Sequence, residues 1–388
     1  MPPERGSRGR RDCRVSDDPV ERGREVIAAC LELGFARAGI APAAPTQREQ
    51  EFLAWLAAGK HGDMAYLEQY LRERLDPRVL VPGARSVIMV ADRYAVRGEE
   101  PPAESDPDRP RGRIARYVRG RDYHWQIKKR LHRLADSLRP RYPGHKFRTV
   151  VDSAPVLERE HAARAGLGWI GKHTLLIDPR LGSYLLLGGI ITTLDLTAPP
   201  EQAAVADHCG TCTRCIDACP TGAITPYSVD ASRCISYLTI EHRGPIDPAL
   251  HAGMGRWIFG CDVCQEVCPH NSARPGAPDR LGEAYRPMRD SFDLLEVLGW
   301  TDEDRRAAFT SSAMKRAKLA MMKRNALIAA GNVLAEREVP GLRERIAALA
   351  ADVSEEPLVR ETASQVLTRL AAARGPASGG PQGGPGAR

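Results

Sequence analysis

Eight cysteines fall between positions 209 and 268 of this 388-residue chain, and only Cys13 and Cys30 lie outside that window. Such crowding constrains the fold more than any hydrophobic pattern, because the backbone there must curl to bring sulfur atoms together. The run Cys209-Gly-Thr-Cys212-Thr-Arg-Cys215-Ile-Asp-Ala-Cys219-Pro220 has the spacing C-x2-C-x2-C-x3-C-P. The tight triplet supplies three thiolates to one [4Fe-4S] cube, and the cysteine before the proline leaves to serve a second cube. The second half, Cys261-x2-Cys264-x3-Cys268-Pro269, lacks its first member, because Ile258 stands in that place. Cys234 is the nearby cysteine left to fill the gap. Counting then assigns Cys209, Cys212, Cys215 and Cys268 to cluster one, and Cys219, Cys234, Cys261 and Cys264 to cluster two. Structural zinc also takes four thiolates, but two interleaved C-x3-C-P endings favour two cubes. A secreted disulfide scaffold would spread its cysteines over a small domain. Cys13 reads as a tail thiol and Cys30 as a buried helix residue.

The rest of the chain divides around this segment. Residues 20–38 read as an amphipathic helix, 85–94 as a buried strand, and 95–112 as a polar, proline-rich loop. A helix with a basic outer face follows from Tyr123 to Leu138. Then come a strand (FRTVVD), a helix over 155–165, and two strands (HTLLID and YLLLGGIIT). This alternation predicts an α/β or α+β sheet domain to about residue 199. Residues 271–280 (NSARPGAPDR) break the pattern, and everything from 290 onward reads as paired helices of the HEAT type. The expected divisions are a tail at 1–18, a sheet domain at 19–199, a cluster module at 200–275, a helical domain at 276–372 and a tail at 373–388.

Charge is uneven. Residues 111–148 carry thirteen Lys/Arg against Asp122 and Asp136, and residues 305–324 carry seven Lys/Arg and no acid. Each run alone could be a solvated helix face; together they point to a polyanion, most simply nucleic acid. The twin arginine Arg10-Arg11 is followed by Asp12, Cys13 and Arg14 where an export signal needs an apolar stretch. No apolar run reaches the roughly 18 residues of a membrane helix. The expectation is a cytoplasmic protein with no membrane partner.

Two familiar patterns fail. Gly166-Leu-Gly168-Trp-Ile-Gly171 matches G-x-G-x-x-G, but it follows a helix and precedes a strand, the reverse of a dinucleotide site. Asp122-Tyr-His124 matches the start of a cobalamin-binding motif whose glycine is here Ile127, so histidine ligation of cobalt is not expected. Asp152, at the end of FRTVVD, is a candidate general acid if desolvation raises its pKa. The plainer reading is an N-cap for the helix near Pro155.

Several motifs occur in order: GDMAYL (62–67), RLDPRVLVPGARSV (74–87), ARYVRGRDYH (115–124), VVDSAPVLERE (150–160), AGLGWIGKHTLLID (165–178), RCISYLTIE (233–241) and RNALIAAGN (324–332). With the two-cluster pattern they resemble epoxyqueuosine reductase over residues 20–370. The resemblance implies an α+β multidomain enzyme with a cobalamin-binding α/β domain, an inserted two-[4Fe-4S] ferredoxin-like module and a C-terminal HEAT-like domain. It implies reduction of the epoxide of epoxyqueuosine at the tRNA wobble position, with Asp152 as proton donor. It places Arg74, Ala115, Asp152, Leu176, Ser236, Cys261 and Asp262 near cobalamin, and Glu241 and Arg243 near tRNA. Some relatives carry a cysteine where this chain has Ala115. A flavodoxin or ferredoxin is the implied electron donor, and a monomer the implied state. The rival readings are a reductive dehalogenase, a ferredoxin with extra domains, and a nucleic-acid scaffold with structural clusters. Dehalogenases usually carry an apolar export segment and lack a HEAT-like tail, and this chain departs on both counts.

Overall fold

The computed structural model describes residues 16–99, 106–273 and 281–373. Most of both expected tails, including Cys13, and parts of both proline-rich breaks lie outside the described residues. In chain order the first region contains α1 (Pro19–Glu32), β1 (Arg37–Pro42), β2 (Ser86–Arg93), β3 (Arg111–Ile114), α2 (Tyr123–Leu138), β4 (Phe147–Val150), α3 (Glu158–Arg164), β5 (Trp169–Ile170), β6 (Leu176–Ile177) and β7 (Leu185–Thr192). Four strands form a sheet in the order β1-β2-β7-β4, with every neighbouring pair antiparallel. The layer is therefore α+β. Strands β2 and β4, joined through α2, run the same way, as an α/β reading requires, but β7 enters between them and opposes both. Helix α2 buries Ile127, Leu131, Leu134, Ala135 and Leu138, and packs this stripe against the sheet.

Several boundaries differ from the sequence reading. Helix α1 starts as expected, with Asp18 accepting from the Val20 N–H and Pro19 in the first turn. It stops at Glu32 rather than residue 38, since Gly34 turns the chain at φ +85° and residues 37–42 become β1. The expected helix takes in Arg37 and Ala38, whereas the structure makes them the start of this edge strand. Helix α3 begins at Glu158, not near 155, with Leu157 at its N-cap, so Asp152 caps nothing there. Only Leu176–Ile177 of HTLLID is strand; it pairs with β5 as a hairpin across Gly171, which confirms the non-dinucleotide order of that glycine motif.

A second, three-stranded sheet joins distant regions. Strand β3 pairs in parallel with β8 (Trp257–Phe259), from the cysteine segment, and antiparallel with β9 (Ser291–Asp293), from the C-terminal segment. The stretch SFDLLEVLGW was expected to be wholly helical; its first three residues are strand because they satisfy this edge, and Leu294–Gly299 is helix. The cysteine segment also holds α4 (Ile235–Ile240), and the C-terminal region is dominated by α5 (Leu319–Glu336), α6 (Leu342–Ala351) and α7 (Pro357–Ala373). Helix α5 is buried without interruption from Met321 to Leu334. It lies between α7 on one side and α4 and β8 on the other.

The polar residues of α5 explain how a buried helix can grip another segment. Arg324 is fully buried and donates to the carbonyls of His242 (2.9 Å), Gly244 (2.6 Å) and Leu238 (2.5 Å). Asn325 donates to the Thr239 and Ile258 carbonyls, and Asn332 to those of His251 and Gly255. These bonds satisfy carbonyls that have left regular structure. Arg324→Met keeps bulk but takes the donor from three carbonyls, of which the Leu238 bond is buried, and a stranded buried acceptor costs about 1–3 kcal/mol. A loss of roughly 3 kcal/mol is expected in urea unfolding, with the loop at residues 241–244 loosened.

Candidate functional site

The eight cysteines form two adjoining groups. Cys209, Cys212, Cys215 and Cys268 line one cleft, together with Lys172, His173 and His270. The Lys172 ammonium holds the loop by donating to the Gly210 carbonyl at 2.6 Å and the Cys212 carbonyl at 3.0 Å. In the second group, Cys234 lies within electrostatic reach of Cys219, Cys261 of both, and Cys264 of Cys261 and Cys234. Cys264 also reaches Cys215, which connects the groups. Burial pushes the thiols of Cys215, Cys234, Cys261 and Cys264 up, and that of Cys268 up to about 11. Four crowded sulfurs in so apolar a setting carry negative charge only with cations among them. The donor set therefore fits iron–sulfur cubes, and N–H groups of Ser236 and Tyr237 aim at the Cys234 sulfur. Among the described residues no three His, Cys, Asp or Glu side chains converge on a single-ion position; the four cysteines of the first group border a cleft instead.

A second centre lies beside the sheet, where β4 ends and α2 begins. Asp152 sits two residues past β4 at φ +48°, in the left-handed region. Its backbone N–H donates to Glu158 Oε1 at 2.7 Å, which ties the turn to the start of α3. Asp122 caps α2 by accepting from the His124 N–H, and this places the His124 ring between two carboxylates. Nδ1 lies 2.8 Å from Asp122 Oδ1, and Nε2 lies 2.9 Å from Asp152 Oδ2.

The electrostatics reverse one expectation. Burial presses the Asp152 carboxyl upward, but His124 and the Tyr123 hydroxyl outweigh it and hold it below the usual carboxylate range. The raised acid is its neighbour: burial, then the Asp152 charge, pushes Glu158 up to about 8. His124 is lowered by burial, but the flanking carboxylates prevail and raise it to about 9. At neutral pH the shared proton therefore rests on His124. Sequence reading saw Asp122-Tyr-His124 only as a failed corrin motif; an Asp N-cap two residues before a His was the available signal for this pair.

The remaining predicted residues come from the first region and from the cysteine segment. The Tyr117 hydroxyl lies within electrostatic reach of Asp152, Asp262, Glu241 and Arg316. Arg74 is half-buried, close enough to Asp152 and Glu158 to feel both charges, and its buried Nε has no partner. Ala115 is buried against the cysteine segment, its N–H donating to the Phe259 carbonyl at 2.8 Å. Next to it, the Arg116 N–H donates to Asp262 Oδ2 at 2.7 Å, beside Cys261. Leu176 is buried in the core that includes Val150, while Ser236 lies in the first turn of α4 beside Cys234. Glu241 ion-pairs with Arg316, and exposed Arg243 donates to the Arg316 carbonyl at 3.1 Å.

The basic runs are not simply solvated faces. Arg116 and Arg119 are buried, with Arg116 2.6 Å from Glu266, while Arg113, Arg130 and Arg141 pair with Glu266, Asp92 and Glu25. In the second run Arg324 is buried, Lys323 pairs with Glu355 at 2.5 Å and Arg305 caps the Ala317 carbonyl. Counting charges along the sequence could not separate these structural cations from exposed ones.

The fold and site define an iron–sulfur protein class in which a double-cluster segment abuts a separate centre of coupled proton carriers. Residues 208–271 match the family described as 4Fe-4S double cluster binding domain, and residues 74–153 match that described as Epoxyqueuosine reductase QueG, DUF1730. The epoxyqueuosine reductase of Pseudomonas aeruginosa is 38% identical over 355 residues, covering 91% of this chain and 95% of that protein. That of Leadbetterella byssophila is 41% identical over 306 residues, covering 78% and 96%. An epoxyqueuosine reductase crystallised with an epoxyqueuosine-modified tRNA-Tyr stem loop superposes with a TM-score of 0.80 at 26% identity, covering 90% of each chain. The Streptococcus thermophilus enzyme gives 0.78 at 27%, covering 92% and 91%. This chain belongs to the epoxyqueuosine reductase family.

His124→Gln tests the proton pair through pH. The raised His124 contributes stability that is fully present below about pH 6.5, its ordinary pKa, and is lost as pH rises through about 9. Thermal unfolding of the native protein should lose stability across that interval, and His124→Gln should flatten that part of the profile.

Proposed function

We propose that this protein is the oxidoreductase that reduces the epoxide of epoxyqueuosine at the tRNA wobble position, the last step of queuosine formation. The observation that carries the reading is the union of a complete double-cluster cysteine set with the Asp122–His124–Asp152 array, in a chain that matches its relatives over nearly their full length. Cluster one is assigned to Cys209, Cys212, Cys215 and Cys268, and cluster two to Cys219, Cys234, Cys261 and Cys264. Cobalamin is assigned to the space bordered by Arg74, Ala115, Asp152, Leu176, Ser236, Cys261 and Asp262. The unpartnered Arg74 Nε suits an amide or phosphate oxygen of that cofactor. Cobalamin, when bound, supplies at the epoxide the electrons relayed by the clusters.

The chain's own residues manage position and protons. Two electrons and two protons convert the epoxide to an alkene and water. Asp152 delivers a proton to the departing oxygen, and His124 Nε2, 2.9 Å away, replaces it. Glu158 fixes the Asp152 backbone and keeps a proton of its own near neutral pH. The basicity of the opening epoxide oxygen draws the proton across; before that, the imidazolium retains it.

Finer assignments belong to the same reading. Residues 19–199 form the cobalamin domain, 200–275 the cluster module and 276–372 a HEAT-like domain. Glu241 and Arg243 border the anticodon stem-loop, and a flavodoxin or ferredoxin supplies electrons to a cytoplasmic monomer. Among the described residues no helix is long and apolar enough to cross a membrane. The test is complementation. In bacteria deleted for their own reductase, this chain should convert tRNA epoxyqueuosine to queuosine, read by nucleoside chromatography. Persistent epoxyqueuosine beside abundant, cluster-loaded protein would overturn the reading.

A further inference from the structure

We propose that the outer face of α2 is a docking strip for the RNA strand leading away from the modified base. Trp125 stacks on an unpaired nucleotide there, and Lys128, Lys129 and Arg133 contact phosphates. This inference rests on the tRNA reading above and specifies where the RNA lies.

The strip is defined by helical spacing. Trp125, Lys128, Lys129, His132, Arg133 and Asp136 occupy one face of α2 and line one shallow depression, opposite the buried stripe. Trp125 is 59% exposed. An exposed indole next to a functional centre exposes a large apolar surface to water with no packing return. Lys129 Nζ lies over the ring, 4.6 Å from its centroid, a cation–π contact that favours one placement of the indole. Lys128, Lys129 and Arg133 make no ion pair among the described residues, in contrast to the neighbouring arginines that do. The single acid of the depression, Asp136, is paired with Arg139. The free charge of the strip is therefore cationic.

Continuity with the proposed site gives the strip its occupant. Trp125 follows His124, whose Nε2 is 2.9 Å from Asp152 Oδ2. A base delivered to Asp152 thus leaves its neighbouring nucleotide over the first turn of α2. From Trp125 to Arg133 the helix rises about 12 Å, a span of roughly three to four nucleotides at 3.4 Å per residue of a helical strand. An aromatic platform followed by a cationic track is the physical pattern of sequence-tolerant single-strand binding.

The test measures dissociation constants of the cluster-reconstituted protein for a fluorescent anticodon stem-loop at several salt concentrations. Trp125→Ala should weaken binding by at least about fivefold, from the loss of one stacked base, with the salt slope kept, and Trp125→Phe should restore most of it. Lys128→Ala, Lys129→Ala and Arg133→Ala together should weaken binding and lower the salt slope by about 2, at roughly 0.7 per phosphate contact. All four positions point to solvent, and Lys128→Glu alone should raise the dissociation constant if the triple variant folds poorly. Unchanged constants and slopes in variants whose parent binds and turns over the stem-loop would overturn the strip. So would variants that bind RNA normally but lose turnover only with a flavodoxin donor, since the face would then serve that acidic protein. A parent that binds no stem-loop contradicts the function itself.

Discussion

Asp152→Asn lowers turnover of an epoxyqueuosine stem-loop by about 10²- to 10⁴-fold, the range for loss of a positioned general acid, and leaves stem-loop affinity unchanged. The asparagine keeps the shape of the side chain and can still meet His124, so the left-handed turn at φ +48° and its tie to Glu158 survive. What disappears is the group that hands over the proton. The second consequence falls on His124. With one of its two carboxylates gone, only Asp122 at 2.8 Å still favours the imidazolium, so its pKa drops from about 9 toward the ordinary histidine value. NMR titration of the His124 ring reads this shift directly. A variant with full turnover would remove Asp152 from the proton path.

Cys234→Ala abolishes turnover by a different route. Cys234 lies outside both cysteine runs, and its assignment rests on count in the sequence and on its reach to Cys219, Cys261 and Cys264 in the fold. Without it the second cube has three thiolates and loses the backbone N–H groups of Ser236 and Tyr237 that attend the fourth. Iron per reconstituted chain should fall by about half, since each cube needs its own set of four ligands. Cys30→Ala is the control. That thiol is buried and pushed up to about 12, in a different core from Cys209, Cys234, Cys261 and Cys268, and its loss should cost some stability and no iron. Full iron content in Cys234→Ala would overturn the cluster assignment.

Different layers of this protein were legible to different degrees. Cysteine spacing is local and chemical, so the two proposed ligand sets can be written down from the sequence alone. Helix α2 was legible because its apolar stripe is a local signal. Strands β1 and β9 were not, since each exists through pairing with a distant partner, Arg37 with Ala91 and Ser291 with Arg113. The same limit hid the proton pair. His124 and Asp152 are 28 residues apart, and only the split arrangement of α2 and β4 around the sheet brings them to 2.9 Å. Asp152 alone suggested a desolvated acid with a raised pKa. With His124 beside it, the carboxyl is lowered and Glu158 takes the raised position. The arginines followed suit: Arg116 and Arg324 looked like part of a phosphate-binding surface, and burial turned them into internal clamps.

If electrons from the clusters end on the epoxide of the wobble base, nucleoside mass analysis reads it directly, after anaerobic incubation of cluster-reconstituted protein with cobalamin, a low-potential reductant and tRNA carrying epoxyqueuosine. That nucleoside should lose one oxygen, dependent on cobalamin, and the loss should be absent in Asp152→Asn and Cys234→Ala. An unchanged nucleoside, with iron content full and cobalamin bound, would contradict it.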